Sequence, residues 1–178
     1  MPDIIETPRI RLRPVTEQDT PEIFRYASDP KWAQHVCGLP WPYTTQDAAN
    51  YVEFLTRADR QLSPSWGMEI AGHIRGVIAL RFSDDHRITE LAYGLERPLW
   101  NKGLTTEAAR ALIKTAMIVY PQLHRVWLKI QVGNEASHRV AGKLGMCLDG
   151  ILRADLFDRG EFHDRAYYSI LRPELYLM

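Results

Sequence analysis

Apolar and polar residues alternate along several short segments of this chain, and a period of two is typical of strands with one buried face. A clear example is the run Trp66, Met68 and Ile70, whose members are separated by single residues of another kind. Turns rich in glycine or aspartate divide such segments from one another. The pattern predicts seven strands: Ile10–Leu12, Trp66–Ile70, Ile74–Phe82, Ile88–Leu95, Val126–Ile130, Met146–Phe157 and Phe162–Leu171.

Other segments carry apolar residues at spacings of three and four, as on one face of a helix. In the longest of them, Ala108, Leu112 and Ala116 share a face. The aromatic-rich and proline-rich residues 31–44 are expected to form a loop. The pattern predicts four helices: one that begins near Thr16 and ends at Asp29–Pro30, one from Gln46 to Arg60 capped by Thr45, Leu104–Val119, and Asn134–Leu144, which is stopped by Gly145.

The order of these elements predicts the fold class. Helices lie between the central strands and hairpins lie outside them, which favours an α+β fold with one mixed, twisted sheet covered by helices. At 178 residues the chain is most economically a single domain, residues 1–178.

Composition and charge argue against several classes of protein. The 22 basic and 22 acidic residues cancel, so we expect neither a nucleic-acid partner nor a membrane-surface partner. The N-terminus lacks the pattern of a signal peptide, and no segment approaches the length of a membrane span. Cys37 and Cys147 lie far apart without metal-ligand spacing. Reduced thiols, a cytoplasmic location and no metal are therefore expected.

The stretch Leu91–Leu112 combines a strand, a short polar loop with one glycine, and the start of a helix. This order directs free backbone N–H groups and the positive end of a helix dipole at one point beside Gly103. Such a point suits a phosphate or pyrophosphate, and Arg97 and Lys102 flank it. An ordinary connection between strand and helix is the alternative interpretation of this stretch taken alone.

The same stretch resembles motif A of the GNAT superfamily of N-acetyltransferases, Q/R-x-x-G-x-G/A followed by a helix. The frame falls on Trp100–Thr105, with Gly103 as the strict match, Trp100 in place of Gln or Arg, and Thr105 in place of Gly or Ala. A tryptophan there is typical of the RimJ/RimL-like branch, which acts on ribosomal-protein N-termini. The likeness extends from ETPRIRLRP at Glu6–Pro14 to LRPEL near the C-terminus.

The resemblance implies that two central strands splay apart and that acetyl-CoA lies in the gap as co-substrate. Backbone N–H groups of Lys102–Thr106 would hold the pyrophosphate of coenzyme A, and an N–H near Leu95 would stabilise the developing oxyanion. Asn134 would contact the pantetheine amides, although it is also a good helix N-cap. The residues implied in coenzyme binding are Leu95, Trp100, Asn101, Lys102, Gly103, Leu104, Thr105, Thr106 and Asn134.

Two residues are implied in catalysis. The text ITELAYGL is similar to the family's ELGYWL, which makes Glu90 the acid that accepts the proton of the amine, often through one water. The alternative for Glu90 is an exposed strand glutamate paired with Arg or Lys. Asn134-Glu135-Ala136-Ser137 is similar to the family's N-x-x-S, in which the serine protonates the departing thiolate. The alternative for Ser137 is a hydrogen bond to a backbone carbonyl.

Aromatic and histidine side chains supply candidates for the acceptor pocket. The loop 31–44 is expected to form one wall, and GEFHDRAYYSILRPE is similar to the family's GRYHD text. Core filling is the alternative for such residues. The predicted pocket residues are Trp32, His35, Trp41, Tyr43 and His163.

The resulting hypothesis is an acetyl-CoA-dependent N-acetyltransferase that transfers the acetyl group directly to a primary amine. The acceptor amine, a protein N-terminus or a small molecule, is left open by the sequence, and so is the oligomeric state, a homodimer included. The alternative from another class is a module that binds acyl-CoA as a sensor or scaffold without turnover. A nucleotide-binding protein of another family fits less well because no G-x-G-x-x-G or G-K-[ST] motif is present.

Overall fold

The computed structural model describes residues 1–177, with the side chains of residues 176 and 177 excluded. Eight strands form one sheet in the order β1-β2-β3-β4-β5-β6-β8-β7. All neighbouring pairs are antiparallel except β5 and β6, which are parallel. The strands are β1 Ile5–Glu6, β2 Arg11–Arg13, β3 Ser65–Ile70, β4 His73–Phe82, β5 Ile88–Leu95, β6 Arg125–Gln131, β7 Cys147–Asp158 and β8 Glu161–Leu171.

The two parallel strands in the middle of the sheet separate after a short contact. Ile88–Glu90 of β5 pairs with Arg125–Trp127 of β6, and the pairing then stops although both strands continue. This opening confirms the splayed central strands that the resemblance implied, and the sheet as a whole confirms the mixed α+β fold that the order of elements predicted.

Within residues 1–177, five α-helices cover the two faces of the sheet. On one face, α4 and α5 pack against alternate residues of β6, namely Val126, Leu128 and Ile130, which are almost fully buried. On the other face, α1 and α3 pack over β4 through a second apolar cluster that includes Ile74 and Val77. The helices are α1 Thr20–Ala27, α2 Pro30–Ala33, α3 Thr45–Arg57, α4 Leu104–Val119 and α5 Glu135–Lys143.

The structure corrects several predicted boundaries. The expected loop begins with the short helix α2, because Asp29 accepts a hydrogen bond from the Lys31 N–H as an N-cap and Pro30 suits the first helical position. Thr44, and not Thr45, caps α3, in a reciprocal arrangement with Asp47. The two-residue strand β1 was missed because it is too short for a period to show.

Helical spacing predicts that Ala49, Val52, Phe54 and Leu55 supply much of the apolar surface of α3, and the structure corrects this for Phe54. The helix buries Ala48, Val52 and Leu55 against the sheet, whereas the Phe54 side chain is 60% exposed. A spacing of three or four residues defines a helical stripe but does not set its width, so Phe54 lies beyond the edge of the buried stripe.

A buried carboxylate fixes the end of β5 to the elements beside it. Glu96 is 8% exposed and forms ion pairs with Arg25 of α1 and Arg75 of β4, the latter at 3.0 Å. Burial by itself would raise the pKa of Glu96, but the hydrogen bonds and charges of the two arginines outweigh it and hold the pKa below its ordinary value. This residue immediately follows the strand end that the candidate site uses.

We expect Glu96→Gln to lower the free energy of unfolding by about 1.5–3 kcal/mol at pH 7, because it removes a charged acceptor shared by two arginines. The stabilisation by the carboxylate is fully present above the pKa of an unfolded glutamate and is lost as the pH falls through the lower folded-state pKa. Urea unfolding from pH 7 down to pH 3 should therefore show that the wild type and the variant become more similar in their free energies of unfolding as the pH falls. Glu53→Gln, which breaks an exposed pair with Arg57, is the matched control. A difference between wild type and Glu96→Gln that stays constant across this range would contradict the assignment.

Candidate active site

The turn between β5 and α4 presents free backbone donors. Gly103 is the N-cap of α4 with φ of 76°, a conformation that glycine adopts without strain, and no side chain caps the helix. The N–H groups of Leu104, Thr105 and Thr106 therefore begin the helix without an intrahelical acceptor. A Cβ on Gly103 would lie 3.7 Å from the Arg9 guanidinium, so the folded protein itself has room for one there. The arrangement is suited to an anion.

Basic side chains surround this turn. Arg9 donates to the Lys102 carbonyl at 3.0 Å and pairs with Glu107 at 2.6 Å, which fixes the turn to the N-terminal segment. Arg139 of α5 donates to Asn101 Oδ1 at 3.0 Å, and Lys143 lies one helical turn further along α5. Within the described residues, Lys102 and Lys143 have no carboxylate partner. Despite the neutral chain, the surroundings of this turn are positively charged.

A first cavity extends from this turn into the opening between β5 and β6. It brings together residues from the end of β5, the turn, both flanking helices and the segment after α2. Most of the predicted coenzyme residues line it, as do two of the predicted pocket residues and Ser137. The predicted residues that line it are Trp32, His35, Leu95, Trp100, Asn101, Gly103, Leu104, Thr105, Thr106, Asn134 and Ser137.

Two tryptophans fix the end of β5 by a shared acceptor. The indole N–H groups of Trp32 and Trp100 both donate to the Leu95 carbonyl, at 3.0 and 2.6 Å. Trp100, which replaces the usual Gln or Arg of the motif, therefore has a structural function here. Gly94 makes room for Trp32, since a Cβ at that position would lie 3.0 Å from the indole ring.

The direction of the Leu95 amide follows from the antiparallel ladder with β4. The Glu96 N–H donates to the Arg75 carbonyl at 2.7 Å. In an antiparallel ladder, residues that form hydrogen bonds to the neighbouring strand, here β4, alternate with residues whose amides point away from it. Leu95 and Tyr93 belong to the second set. Their N–H groups face the opening between β5 and β6.

The start of α5 supplies polar groups to the opposite wall. Asn134 is the N-cap and accepts a hydrogen bond from the Ser137 N–H at 3.1 Å. The structural function of Asn134 is therefore present, and it is compatible with ligand contact because its amide N–H₂ makes no hydrogen bond among residues 1–177. In the same part of the chain, the Ser137 hydroxyl makes no hydrogen bond to a backbone carbonyl.

Tyr93 is the functional candidate that sequence reasoning missed. Its hydroxyl oxygen is shielded from solvent and makes no hydrogen bond to another of the described residues. Burial raises the pKa of Tyr93 to about 12, although the adjacent Ser137 hydroxyl acts in the opposite direction. The sequence showed Tyr93 only as one apolar position of an alternating strand. Nothing in that pattern indicates whether a phenol oxygen finds a partner.

A second, larger cavity of about 520 Å³ lies on the opposite face of the sheet, between β4, β5, α1, α3 and residues 36–43. It meets the first cavity at Trp32, Val36, Tyr93 and Gly94, which line both. Tyr43 lines this cavity, together with other residues of the predicted loop wall. Trp41 and His163 line neither cavity in the described part of the chain, so the structure does not bring them together with the other candidates.

Glu90 lies on the same face of β5 as Ala92 and Gly94, two residues that line the second cavity. Its carboxylate lies 3.5 Å from Arg81 and 3.2 Å from Lys129. The ion pairs expected of a structural glutamate are therefore present. They place the carboxylate beside Arg81, which lines the second cavity, although Glu90 itself lines neither cavity in the described part of the chain.

Comparison with known proteins identifies the family. The family described as the acetyltransferase (GNAT) domain matches residues 9–147, more than three quarters of the chain. This chain belongs to the GNAT acetyltransferase family. It is accordingly an acetyltransferase, as the Gly103 turn and the splayed strands indicated.

Individual relatives agree with this assignment. The acetyltransferase is 26% identical over 174 residues to the uncharacterised N-acetyltransferase YoaA of Bacillus subtilis, covering 96% of this chain and 97% of YoaA. It is also 35% identical to YdaF of B. subtilis, provisionally named a ribosomal N-acetyltransferase. That match extends over 109 residues, which are 61% of this chain and 59% of YdaF. The fold matches that of RimL, the ribosomal L7/L12 alpha-N-protein acetyltransferase, in complex with coenzyme A. That match has a TM-score of 0.82 at 20% identity, over 94% of this chain and 97% of RimL.

The acetyltransferase has no helix, among the residues that the structure describes, that combines the length and the hydropathy needed to cross a bilayer.

Proposed function

We propose that this acetyltransferase transfers an acetyl group from acetyl-CoA directly to a primary amine. The observation that carries the proposal is the meeting of two cavities at Tyr93 and Gly94, one ending at an anion-binding turn and the other apolar. Because the cavities approach β5 from opposite faces, a donor and an acceptor can react there without a covalent enzyme intermediate. A module that binds acyl-CoA without turnover is not favoured, since it would not need the second cavity.

The first cavity has the chemistry needed for coenzyme A. The free N–H groups after Gly103 suit the pyrophosphate, and Arg139 and Lys143, which line the cavity, add positive charge, whereas the predicted Lys102 does not line it. The Thr105 hydroxyl can donate to a phosphate oxygen, which offsets the crowding by its branched side chain. RimL, whose fold is the same, is described in complex with coenzyme A. When bound, acetyl-CoA supplies an acetyl group activated as a thioester.

We expect Gly103→Val to weaken coenzyme A binding at least 10-fold, because the branched side chain would occupy the approach of the phosphate to the backbone. The substitution also strains a residue with positive φ, by roughly 1–2 kcal/mol. Gly72→Val is the matched control: Gly72 has φ of 79° in the turn between β3 and β4, where a Cβ meets nothing within 4 Å. Calorimetric titration with coenzyme A should separate the two variants, while thermal unfolding should show similar losses of stability. Equal coenzyme affinity in the two variants would contradict the assignment of this turn.

Three groups are proposed to act on the reacting atoms, and a fourth is proposed to hold the coenzyme. Glu90 accepts the proton of the amine through water, because only the neutral amine attacks a thioester. The Leu95 N–H, directed into the opening, donates to the carbonyl oxygen as its charge develops. Asn134 contacts the pantetheine amides, and Ser137 protonates the departing sulfur. In this transfer a carbon–nitrogen bond replaces the carbon–sulfur bond, whose electron pair leaves on sulfur.

We expect Glu90→Gln to lower turnover by about 10²-fold at pH 6, where the amine is almost fully protonated, and by much less at pH 9. Initial rates of thiol release from acetyl-CoA across this range measure the effect. Lys129→Met is the matched control, because it removes the ion pair at 3.2 Å but keeps the carboxylate. The control should retain its activity at low pH. Wild-type rates for Glu90→Gln at every pH would remove Glu90 from the mechanism and leave deprotonation to bulk water.

A further inference from the structure

The walls of the second cavity are apolar and aromatic. Its floor consists of small residues: Ala79 and Ala92 are direct cross-strand partners, and Gly94 follows on the same face. Four tyrosines line it, and burial raises the pKa of Tyr43 and of Tyr93 to about 12 and raises that of Tyr26 and Tyr51 as well, so all four phenols are neutral near pH 7. The larger apolar and aromatic residues of the lining are Ile23, Tyr26, Trp32, Val36, Leu39, Tyr43, Tyr51, Phe54, Leu55, Val77, Leu80 and Tyr93.

The charged groups of this lining already have partners. Asp47 accepts hydrogen bonds from the Thr44 N–H and hydroxyl at 2.8 and 2.5 Å, as part of the N-cap of α3. Arg81 pairs with Glu90 at 3.5 Å. Asp47 and Arg81 are the charged residues of the described lining. A carboxylate or phosphate on the acceptor would therefore lose its hydration without gaining a free cation.

The hairpin between β7 and β8 restrains the wall of this cavity. The Gly38 N–H donates to Asp158 Oδ1 at 3.2 Å, and the Arg159 guanidinium donates to the Ala33 carbonyl at 2.8 Å. Both contacts hold the segment after α2 against the hairpin turn. An acceptor that ends inside the cavity fits this geometry better than a chain that runs through it.

We propose that the acceptor is a primary amine on a bulky apolar body, with no carboxylate or phosphate next to the amine. The inference rests on the proposed acetyl transfer and defines its acceptor. The amine lies toward Glu90 and the meeting point of the cavities, and the apolar body fills the space between α3 and the alanine floor. A free arylalkyl amine and the N-terminal residue of a peptide with a large apolar side chain share this chemistry.

The test is thiol release from acetyl-CoA with a matched set of amines. Burying a phenyl group is expected to raise kcat/KM for 2-phenylethylamine at least 10-fold above that for propylamine. Free phenylalanine, which adds a carboxylate, should fall at least 10-fold below phenylalanine amide. A preference for 2-phenylethylamine over a peptide beginning with Phe identifies a small-molecule acceptor, and the reverse identifies a peptide acceptor. Either order supports the proposed class. Equal or better rates with propylamine, 1,4-diaminobutane or free phenylalanine would overturn it.

A substitution in the floor adds a structural test. Ala79→Leu should lower the ratio of kcat/KM for 2-phenylethylamine to that for propylamine, because the larger side chain takes space from the apolar body. Ala49→Leu, at a half-buried position of α3 outside the cavity lining, should leave that ratio unchanged. If no amine releases thiol, the proposed function fails. The acceptor class is then decided by calorimetry, which supports it if 2-phenylethylamine binds more tightly than phenylalanine and overturns it otherwise.

A second inference comes from an independent observation, the buried Tyr93 hydroxyl. An unpartnered buried polar group costs roughly 1–3 kcal/mol, so its presence requires an explanation. Tyr93 lines both cavities and adjoins Ser137 on the opposite wall. Among its described residues, the free protein offers no hydrogen-bond partner to the Tyr93 hydroxyl. A bound substrate could supply that partner where acetyl-CoA and the amine meet.

We infer that the Tyr93 hydroxyl donates a hydrogen bond to the acetyl thioester as negative charge develops on it. Tyr93 would then be a catalytic residue, and this assignment also rests on the proposed acetyl transfer. Burial raises the pKa of Tyr93 to about 12, so the phenol keeps its proton near pH 7 and acts by hydrogen bonding. The proposed proton donor to the sulfur is Ser137.

The test compares Tyr93→Phe with Tyr168→Phe, whose hydroxyl makes an ordinary hydrogen bond to His138 at 3.0 Å outside both cavities. Tyr93→Phe should lower kcat about 10²-fold, uniformly from pH 6 to 9, with an unchanged or higher Tm because an unsatisfied group is removed. Tyr168→Phe should lower Tm and keep kcat. The best amine of the panel serves as acceptor, so wild-type turnover tests the proposed function separately. Wild-type kcat in Tyr93→Phe, or a lower Tm with normal kcat, would overturn the assignment.

Discussion

The candidate site depends on the separation of β5 and β6 after their pairing at Ile88–Glu90. A parallel pair that stayed together would satisfy the backbone groups of both strands and leave no space between them. Because the strands separate, the amides at the end of β5 face an opening in the middle of the sheet. The Leu95 carbonyl is satisfied instead by two indole N–H groups, from Trp32 and Trp100. These bonds hold the strand end in place while its N–H remains available.

This single opening allows two chemically different cavities to meet. On one side, the Gly103 turn collects free N–H groups and basic side chains, which suits the anionic part of a coenzyme. On the other side, tyrosines and small floor residues form an apolar space whose charged groups are already paired. Because the net charge of the chain is zero, it does not reveal that one cavity is basic and the other apolar. Charge is concentrated where phosphates would bind and is compensated where an acceptor would bind.

The polar groups nearest the meeting point differ in how completely they are satisfied. Glu96, just beyond the strand end, is fully paired with two arginines and stabilises the fold. The Tyr93 hydroxyl, three residues earlier, has no partner among the described residues although it is buried. Such a contrast between close neighbours is expected where some residues stabilise the fold and others serve function, because an unsatisfied group lowers stability unless a ligand supplies its partner.

The sequence by itself determined the type and order of nearly all elements, because hydrophobic periodicity and turn residues are local signals. It also singled out most of the predicted residues that line the first cavity, since Leu95–Thr106 and Asn134–Ser137 lie within short continuous stretches whose motifs resemble the family's. It indicated one wall of the second cavity, the loop 31–44 with Tyr43, but not the walls from α1, α3, β4 and β5, because these come from segments that lie far apart in the chain. Only the tertiary structure placed Phe54 on that cavity and Trp41 and His163 away from both described cavities.

The same limit explains Tyr93 and Glu90. Alternation of apolar and polar residues indicates the face of a strand on which a side chain lies. The neighbours on that face depend on the order of strands in the sheet and on the helix that covers it. Sheet register placed Glu90 between Arg81 and Lys129. The packing of α5 against the opening placed Ser137, and no stronger acceptor, beside the Tyr93 hydroxyl. Whether a polar atom finds a partner is a property of the assembled fold, because its candidate partners come from segments that are distant in the chain.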